Sequence, residues 1–250
     1  MQLTAGTQLI IINNPNNPTG STIPTPVLSQ IITFAKQRDI ILLSDEVYSP
    51  LYHSLPSHPP PPSILSLASS LDYTKAIATG SMSKAYALAG IRLGWIASLS
   101  QSILSAVASA RDYTTISVSQ LDDQVASYAL SPAVLPSLLE RNVTLAQTNL
   151  ALLTAFVDRY SSVCSWVKPT AGTTALVQFR NNKKGGEPVD DAEFVVDVLG
   201  KTKVLFMPAS VCFGNGEDFK GFVRIGYVCH TDVLEEALKK LGEYVEDHLL

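Results

Sequence analysis

Two short, wholly apolar runs constrain the fold of this 250-residue chain more than any other feature. They occupy residues 9–12 (LIII) and 40–43 (IILL), and polar residues follow each of them. Runs of this kind are typical of strands that are buried on both faces of a parallel sheet. Between them, residues 24–26 (PTP) open a segment with apolar residues at helical spacing, and proline is tolerated in the first turn of a helix. The sequence therefore predicts a βαβ unit.

The rest of the chain alternates between strand and helix patterns. A loop containing a run of prolines is predicted over 54–63, and residues 119–160 are mostly helical with a break near 131–132. The last part of this region is long enough to connect two domains, which we predict over residues 1–145 and 146–250. Further strands are predicted near 75–79, 91–97, 163–168, 173–179, 203–207 and 222–228, further helices near 189–200 and 231–249, and a polar loop over 181–186.

Composition and charge narrow the function classes. The formal net charge is -4, and no cluster of lysine and arginine offers the basic surface that a nucleic-acid partner requires. The cysteines and histidines are scattered without metal-ligand spacing, which favours a reducing compartment and no metal site. The N-terminus lacks the pattern of a secretory signal, and no apolar run is long enough to span a bilayer. We expect a soluble, cytoplasmic protein with no membrane partner.

Polar motifs follow several of the predicted strands, where open α/β sheets bind their ligands. Each has an ordinary structural interpretation, because Asn-Pro and Thr-Gly form turns, Asp45 could cap a helix, and Lys84 could be a solvated surface cation. Against this, a carboxylate in so apolar a stretch is costly without a partner, and Lys84 lies in a nearly uncharged run. The motifs are residues 13–20 (NNPNNPTG), 44–48 (SDEVY), 81–84 (SMSK) and 90–95 (GIRLGW).

The order of these motifs resembles a known family. Asn-Pro-Thr-Gly, Asp-x-x-Tyr, Ser-x-x-Lys and Gly-x-Arg-x-Gly follow one another as in pyridoxal-phosphate (PLP) enzymes of fold type I, in the aminotransferase class I/II family. The resemblance covers most of the chain, up to Arg224 in residues 222–227 (FVRIGY). It implies an α/β fold with a mostly parallel sheet in a PLP-binding large domain, followed by a smaller α+β domain. It also implies a homodimer that acts on an amino acid and a 2-oxo acid.

The resemblance assigns roles around the cofactor ring. Lys84 is implied as the residue that forms the internal aldimine with PLP and then moves the proton between the substrate Cα and C4′ of the cofactor. This work needs an amine with a pKa lowered towards neutrality. Asp45 is implied as the partner of the pyridine nitrogen, which keeps the ring an electron sink. Asn17 and Tyr48 are implied to hydrogen-bond its phenolic oxygen, so that Lys84, Asp45 and Tyr48 form the catalytic set.

The resemblance also assigns two anion sites. Ser81 and Arg92 are implied to bind the cofactor phosphate, for which the planar guanidinium of arginine offers several donors. Arg224, together with Asn17, is implied to bind the substrate α-carboxylate and so to orient the Cα–H bond across the ring plane. For Arg224 by itself, a surface ion pair would be the ordinary interpretation.

The chain departs from the family pattern at its beginning. Relatives carry a long stretch before Asn-Pro-Thr-Gly, including a Gly/Ser-rich phosphate loop and an aromatic ring that stacks on PLP, and neither is found here in the expected place. The chain is therefore either a part of a longer enzyme or a natural short form with lost or changed activity. The leading hypothesis is a PLP-dependent aminotransferase for a neutral or aromatic amino acid. The alternatives are a PLP-dependent C–S β-lyase and a catalytically impaired homologue that acts as a binding or remnant protein.

Overall fold

The computed structural model describes residues 6–53 and 59–250, and the chain divides into two compact units. Unit 1 contains the described residues up to Asn16 together with Thr22–Asn142, and unit 2 contains Asn17–Ser21 and Val143–Leu250. The assignment of a cofactor-binding domain to 1–145 and a smaller domain to 146–250 stays a prediction. Half of the loop predicted over 54–63, residues 54–58, lies outside the described residues.

Unit 1 is built on a four-stranded mixed sheet. Its elements are β1 (Leu9–Asn13), α1 (Thr25–Gln37), β2 (Ile41–Asp45), α2 (Ile64–Ser70), β3 (Ala76–Ser81), β4 (Gly94–Ser98), α3 (Gln101–Arg111) and α4 (Gln120–Ala129). The strands follow the order β1-β2-β3-β4, with parallel β1–β2 and β2–β3 pairs and an antiparallel β3–β4 pair. The predicted βαβ unit and the mostly parallel sheet are confirmed, and the parallel strands bring their carboxyl ends to one edge.

One face of the unit 1 sheet carries its main core. Leu28 and Ile32 of α1 and Ile64 of α2 pack with strand residues such as Leu42 in one cluster of buried side chains. The prediction that the first strand is buried on both faces is wrong, because Ile11 is 65% exposed. The strand alternates between buried and exposed residues because only one of its faces is covered by described residues.

Unit 2 combines helices with an antiparallel sheet. Its elements are β5 (Cys164–Trp166), β6 (Thr174–Asn181), β7 (Glu187–Pro188), α6 (Asp191–Thr202), β8 (Met207–Pro208), α7 (Ala209–Phe213), β9 (Phe222–Gly226) and α8 (Thr231–His248). Strands β5-β6-β9-β8 form the main path of the sheet, and β7 pairs with β6. The 25-residue helix α5 (Leu135–Arg159) precedes β5, and its C-terminal part contributes Leu153 and Phe156 to the unit 2 core. Within the described residues, no helix is long and apolar enough to cross a membrane.

Two strand predictions need correction. The strand predicted near 91–97 begins at Gly94 instead, because a 3-10 turn occupies Ala89–Ile91 and Arg92 has a left-handed backbone with φ 51°. The strand predicted near 203–207 is reduced to Met207–Pro208, since only these residues pair with β9. Helices α2 and α3 were not predicted. Part of the polar loop predicted over 181–186 forms a 3-10 turn at Asn182–Lys184.

Candidate functional site

Asp45 lies at the carboxyl end of β2, opposite Thr79 in the parallel β2–β3 register. The Thr79 hydroxyl donates to Asp45 Oδ1 at 3.0 Å, and the Val47 amide donates to the same oxygen at 3.3 Å. The Asp45 carbonyl accepts from the Asn13 side-chain amide at 3.1 Å and from the Asn14 backbone amide at 3.0 Å. Among the described residues, no donor reaches Asp45 Oδ2. The carboxylate is thus held through one oxygen, and the other remains available for a donor.

Tyr48 and Lys84 lie close together in unit 1. Tyr48 is 4% exposed, and the Lys84 ammonium lies 5.8 Å from the centroid of its ring. This distance permits a cation–π contact. The buried Asn142 side chain donates to the carbonyl of Ala85 at 2.9 Å, which anchors the backbone next to Lys84. Lys84 itself is exposed and, within the described part of the chain, its ammonium forms neither a hydrogen bond nor an ion pair.

Ser81 and Arg92 lie at opposite ends of the connection between β3 and β4. The Ser81 hydroxyl donates to the Leu93 carbonyl at 3.2 Å and accepts from the Ser83 amide at 3.0 Å. These bonds tighten the turn that leads to Lys84. The exposed Arg92 guanidinium donates to the Ala89 carbonyl at 2.8 Å. One hydroxyl and one accessible guanidinium are therefore present in the same connection, and both are suitable donors for a phosphate.

Asn17 and Arg224 form a pair within unit 2. Arg224 lies on β9, and its guanidinium donates to Asn17 Oδ1 at 3.2 Å. It also contacts the sulfur of Met207 and lies 5.7 Å from the ring centroid of Phe213. None of these partners, which lie among the described residues, is a carboxylate. Within residues 6–53 and 59–250, Arg224 thus carries a positive charge without an ion-pair partner, which is compatible with binding an anion.

The structure therefore distributes the seven predicted site residues over its two units. The strand-end group lies at the carboxyl ends of β2 and β3 of unit 1 and in the segments that follow them, and comprises Asp45, Tyr48, Ser81, Lys84 and Arg92. The Asn17–Arg224 pair belongs to unit 2. No group of three or more His, Cys, Asp or Glu in residues 6–53 and 59–250 could hold a metal ion.

Sequence reasoning missed two residues that support this group. Thr79 holds the Asp45 carboxylate, and Asn142 holds the backbone beside Lys84. Thr79 could have been found from the parallel register, because residues at the carboxyl ends of neighbouring strands face each other. Asn142 lies 57 residues from its partner, and no local pattern indicates such a contact.

These features fit an enzyme of the fold-type I PLP class. The Asp45 carboxylate has an oxygen to which no described residue donates, as a pyridinium N–H requires, and the Lys84 amine is accessible. The Ser81 hydroxyl and the Arg92 guanidinium supply the chemistry that a phosphate requires. The residues present thus match the ring and the phosphate of PLP.

Comparison with known proteins defines the family. The chain matches the family described as aminotransferase class I and II over residues 2–241, and it belongs to that family. It is 28% identical to capreomycidine synthase of Streptomyces vinaceus over 97% of this chain and 57% of the relative. It is 30% identical to aspartate aminotransferase of Bacillus subtilis over 98% of this chain and 59% of the relative. The cofactor that membership implies is PLP.

Solved structures agree with this fold. The crystal structure of a PLP-dependent aminotransferase from Streptococcus suis matches with a TM-score of 0.83 at 31% identity. The match covers 98% of this chain and 59% of that one. The fold class is therefore that of the fold-type I aminotransferases, with a partly represented large domain. The chain spans less than two thirds of the length of the relatives and structures that it matches.

Proposed function

We propose that this protein acts as a PLP-dependent aminotransferase, moving an amino group from an amino acid to a 2-oxo acid. The observation that carries the proposal is the strand-end group, in which an anchored carboxylate ends β2 and an accessible lysine follows the neighbouring parallel strand β3. Family membership over residues 2–241 supports the same chemistry. The relatives are considerably longer than this chain, so we also propose that the 250 residues present here are sufficient for the activity.

The strand-end group accounts for the cofactor side of the reaction. Bound PLP supplies a ring that accepts electrons from the substrate Cα. Asp45 accepts a hydrogen bond from the ring nitrogen and keeps a proton on it, since a nearby carboxylate favours the charged form of a base. Thr79 prevents rotation of this carboxylate by holding its other oxygen. Ser81 and Arg92 bind the phosphate, and Tyr48 donates to the phenolic oxygen; the same role for Asn17 stays a prediction from the family resemblance.

Lys84 holds the cofactor through its amine and then transfers the proton. Its Nζ would act as the base that removes the proton from the substrate Cα and as the acid that returns it, and the bound cofactor would supply the electron-accepting ring. A primary amine suits both steps because it can bond covalently to a carbonyl carbon and can also act as a general base. The Tyr48 ring lies 5.8 Å from Nζ, within the range of a cation–π contact.

The Asn17–Arg224 pair accounts for substrate binding. The Arg224 guanidinium binds the α-carboxylate with two parallel hydrogen bonds, and the Asn17 amide supports it. The other contacts of Arg224 are Met207 and Phe213, and neither side chain is charged. This surrounding favours a neutral or aromatic amino acid over a dicarboxylic one. Transamination rates with phenylalanine, alanine and aspartate as donors test this preference, and a clear advantage for aspartate would contradict it.

Titration of the 250-residue chain with PLP tests the cofactor site. We expect a visible absorbance band that borohydride reduction removes, and a PLP adduct on the peptide containing Lys84. Lys84→Ala should lack both. Lys75→Ala is the matched control, because Lys75 lies in the same unit and its ammonium forms a partly exposed ion pair with Asp39, which contributes little to stability. Absence of the band in the unaltered chain at saturating PLP would reject the enzyme proposal.

The same titration separates the remaining alternatives. The alternative of a catalytically impaired homologue that acts as a binding or remnant protein is favoured by the 65% exposed Ile11. An apolar side chain on an uncovered face of the described sheet could contact a partner. It predicts no lysine adduct. The C–S β-lyase alternative uses the same cofactor residues and is distinguished by its products. A new amino acid and a 2-oxo acid support transfer, whereas pyruvate, ammonia and a thiol support elimination.

A further inference from the structure

Asp191 is a buried carboxylate that the proposed chemistry does not use. It is 2% exposed and forms the first residue of α6. Among the ion pairs of the described residues, none includes Asp191. A buried carboxylate without a cation is unfavourable unless hydrogen bonds compensate it. The contacts of Asp191 therefore indicate why such a residue is tolerated here.

Three donors surround the Asp191 carboxylate. Oδ2 accepts from the Ser210 backbone amide at 2.9 Å and from the Ser210 hydroxyl at 2.8 Å. Oδ1 accepts from the Gly221 amide at 3.1 Å. Ser210 belongs to α7, and Gly221 directly precedes β9. One carboxylate thus joins α7 to the beginning of β9.

The hydrogen bonds to Ser210 replace a cap that α7 lacks. This helix has five residues, and its N-cap residue Pro208 makes no side-chain hydrogen bond to it. So short a helix is not stable without support, and its first amides need acceptors. Asp191 provides one from 19 residues away in the sequence.

The other anchor point has a fixed backbone. Gly221 has φ +77°, and a Cβ at this position would lie 2.8 Å from the Phe179 carbonyl oxygen. The Gly221 carbonyl in turn accepts from the Phe179 amide at 2.7 Å. The Gly221 amide therefore offers Asp191 a rigid donor. Because Gly221 cannot shift easily, its bond to the carboxylate holds α7 in place relative to β9.

These two elements carry the surroundings of Arg224. Arg224 is the third residue of β9, Phe213 is the last residue of α7, and Met207 lies on β8 two residues before α7. The contacts of Arg224 with Phe213 and Met207 thus depend on how the β8–α7 segment is held against β9. Backbone pairing with β9 holds Met207 of β8, and the Asp191 carboxylate holds α7, which carries Phe213.

We propose that Asp191 is a positioning residue for Arg224. By fixing α7 against β9 it keeps the Phe213 ring beside the guanidinium, while Met207 is held there by the pairing of β8 with β9, so that the guanidinium points in one direction. Its importance for substrate binding rests on the proposed function, in which Arg224 binds the substrate carboxylate. Its importance for the arrangement of Arg224 does not depend on that function.

Hydrogen exchange of the 250-residue chain tests the arrangement. In Asp191→Asn, the new amide group faces donors that need an acceptor, so exchange over residues 207–214 should become roughly tenfold faster or more. Exchange in α8 should not change. Asp190→Ala is the matched control, because exposed Asp190 caps α6 by accepting from the Ala192 and Glu193 amides and does not contact α7. Unchanged exchange over 207–214 in Asp191→Asn would overturn the proposal.

A second variant keeps the test valid if Asp191→Asn does not fold. Ser210→Ala removes the hydroxyl bond and leaves the two amide bonds. It should accelerate exchange over 207–214 by a smaller factor. If exchange over 207–214 in Ser210→Ala equals that of the unaltered chain and Asp191→Asn does not fold, the hydrogen bond between Ser210 and Asp191 does not hold α7 and the proposal fails.

Binding of 3-phenylpropionate, a carboxylate without an amine, provides the functional readout. Asp191→Asn and Arg224→Gln should both weaken its binding, and both should keep the PLP absorbance band. Weaker binding in Arg224→Gln alone would overturn the positioning role. If Arg224→Gln has no effect, the carboxylate site of the proposed function fails instead. The NMR signal of the Arg224 Nε–H group then decides the positioning proposal: a shift in Asp191→Asn supports it, and an unchanged signal overturns it.

Discussion

The hydrogen bond from Thr79 to Asp45 gives a sharp test of how the cofactor site works. The Thr79 hydroxyl lies 3.0 Å from Asp45 Oδ1, and the only other donor to this carboxylate in the described chain is the Val47 amide at 3.3 Å. Thr79→Val removes the hydroxyl and nearly preserves the side-chain shape. The carboxylate can then rotate about its Cβ–Cγ bond, and its free oxygen loses its defined direction towards the cofactor ring.

The size of the effect follows from the exposure of Asp45. A hydrogen bond to a charged group contributes about 1.5–3 kcal/mol where water is excluded. Asp45 is only partly buried, so water can replace part of the lost bond. We therefore expect a loss of about 1 kcal/mol in the free energy of PLP binding, which corresponds to about a fivefold weaker affinity. The free energy of unfolding should change less, since Thr79 is itself only half-buried.

Titration of the absorbance band with PLP measures this affinity directly. Thr79→Ser is the control, because serine keeps the hydroxyl and should bind PLP with nearly the affinity of the unaltered chain. Equal affinities for Thr79→Val and Thr79→Ser would refute the reasoning, because the hydroxyl would then have no part in orienting Asp45. A weakening in Thr79→Ser alone would point to packing of the Thr79 methyl group, which valine keeps and serine lacks.

Two further predictions concern unit 2. Asn149 is fully buried, donates to the Tyr227 and Cys229 carbonyls at 2.7 and 2.8 Å, and accepts from Thr231 at 2.9 Å. Asn149→Ala should therefore lower the free energy of unfolding by about 3 kcal/mol in urea denaturation, and Thr231→Val by about 1 kcal/mol; equal losses would contradict this. Burial raises the pKa of the Cys164 thiol to about 12 from 9.0. The folded state therefore favours the neutral thiol, so the free energy of unfolding does not change below pH 9 on this account and falls as the pH rises from 9 towards 12. At pH 8 a disulfide reagent should modify exposed Cys212 much faster than Cys164, and comparable rates would contradict this.

The sequence predicted the parts of the fold that depend on local patterns. Strands β1 and β2 and helix α1 follow from apolar runs and helical spacing, because one face of each is buried in a common core. Helix α3 was not predicted, although its sequence has apolar residues at helical spacing (Ile103, Leu104 and Val107), and none of its residues is buried. The short β8 was overpredicted because pairing with β9, rather than strand propensity, decides its length. Local patterns therefore do not fix elements whose bounds depend on distant partners.

In the candidate site, too, local motifs indicate some residues, whereas others depend on contacts with distant parts of the chain. The motif order selects Asp45, Lys84 and Arg224 as candidates, since each lies in a short recognisable segment, and their roles stay predictions. The residues that hold them were not predictable in this way. Asp191 follows another aspartate in the sequence, and only the structure distinguishes the exposed helix cap from the buried carboxylate. Such supporting contacts link residues 19 to 57 positions apart, so they require the tertiary structure.

The supporting contacts make the two halves of the proposed chemistry separable by mutation. Within unit 1, the Thr79 hydroxyl orients Asp45, and Asn142 anchors the backbone beside Lys84. Within unit 2, Asp191 ties α7 to β9, which carries Arg224. Because neither set of hydrogen bonds uses a residue of the other unit, loss of Thr79 should weaken PLP binding and leave carboxylate binding by apoprotein intact. Loss of Asp191 should do the reverse. If each variant weakened PLP binding and carboxylate binding to the same extent, this separation would be contradicted.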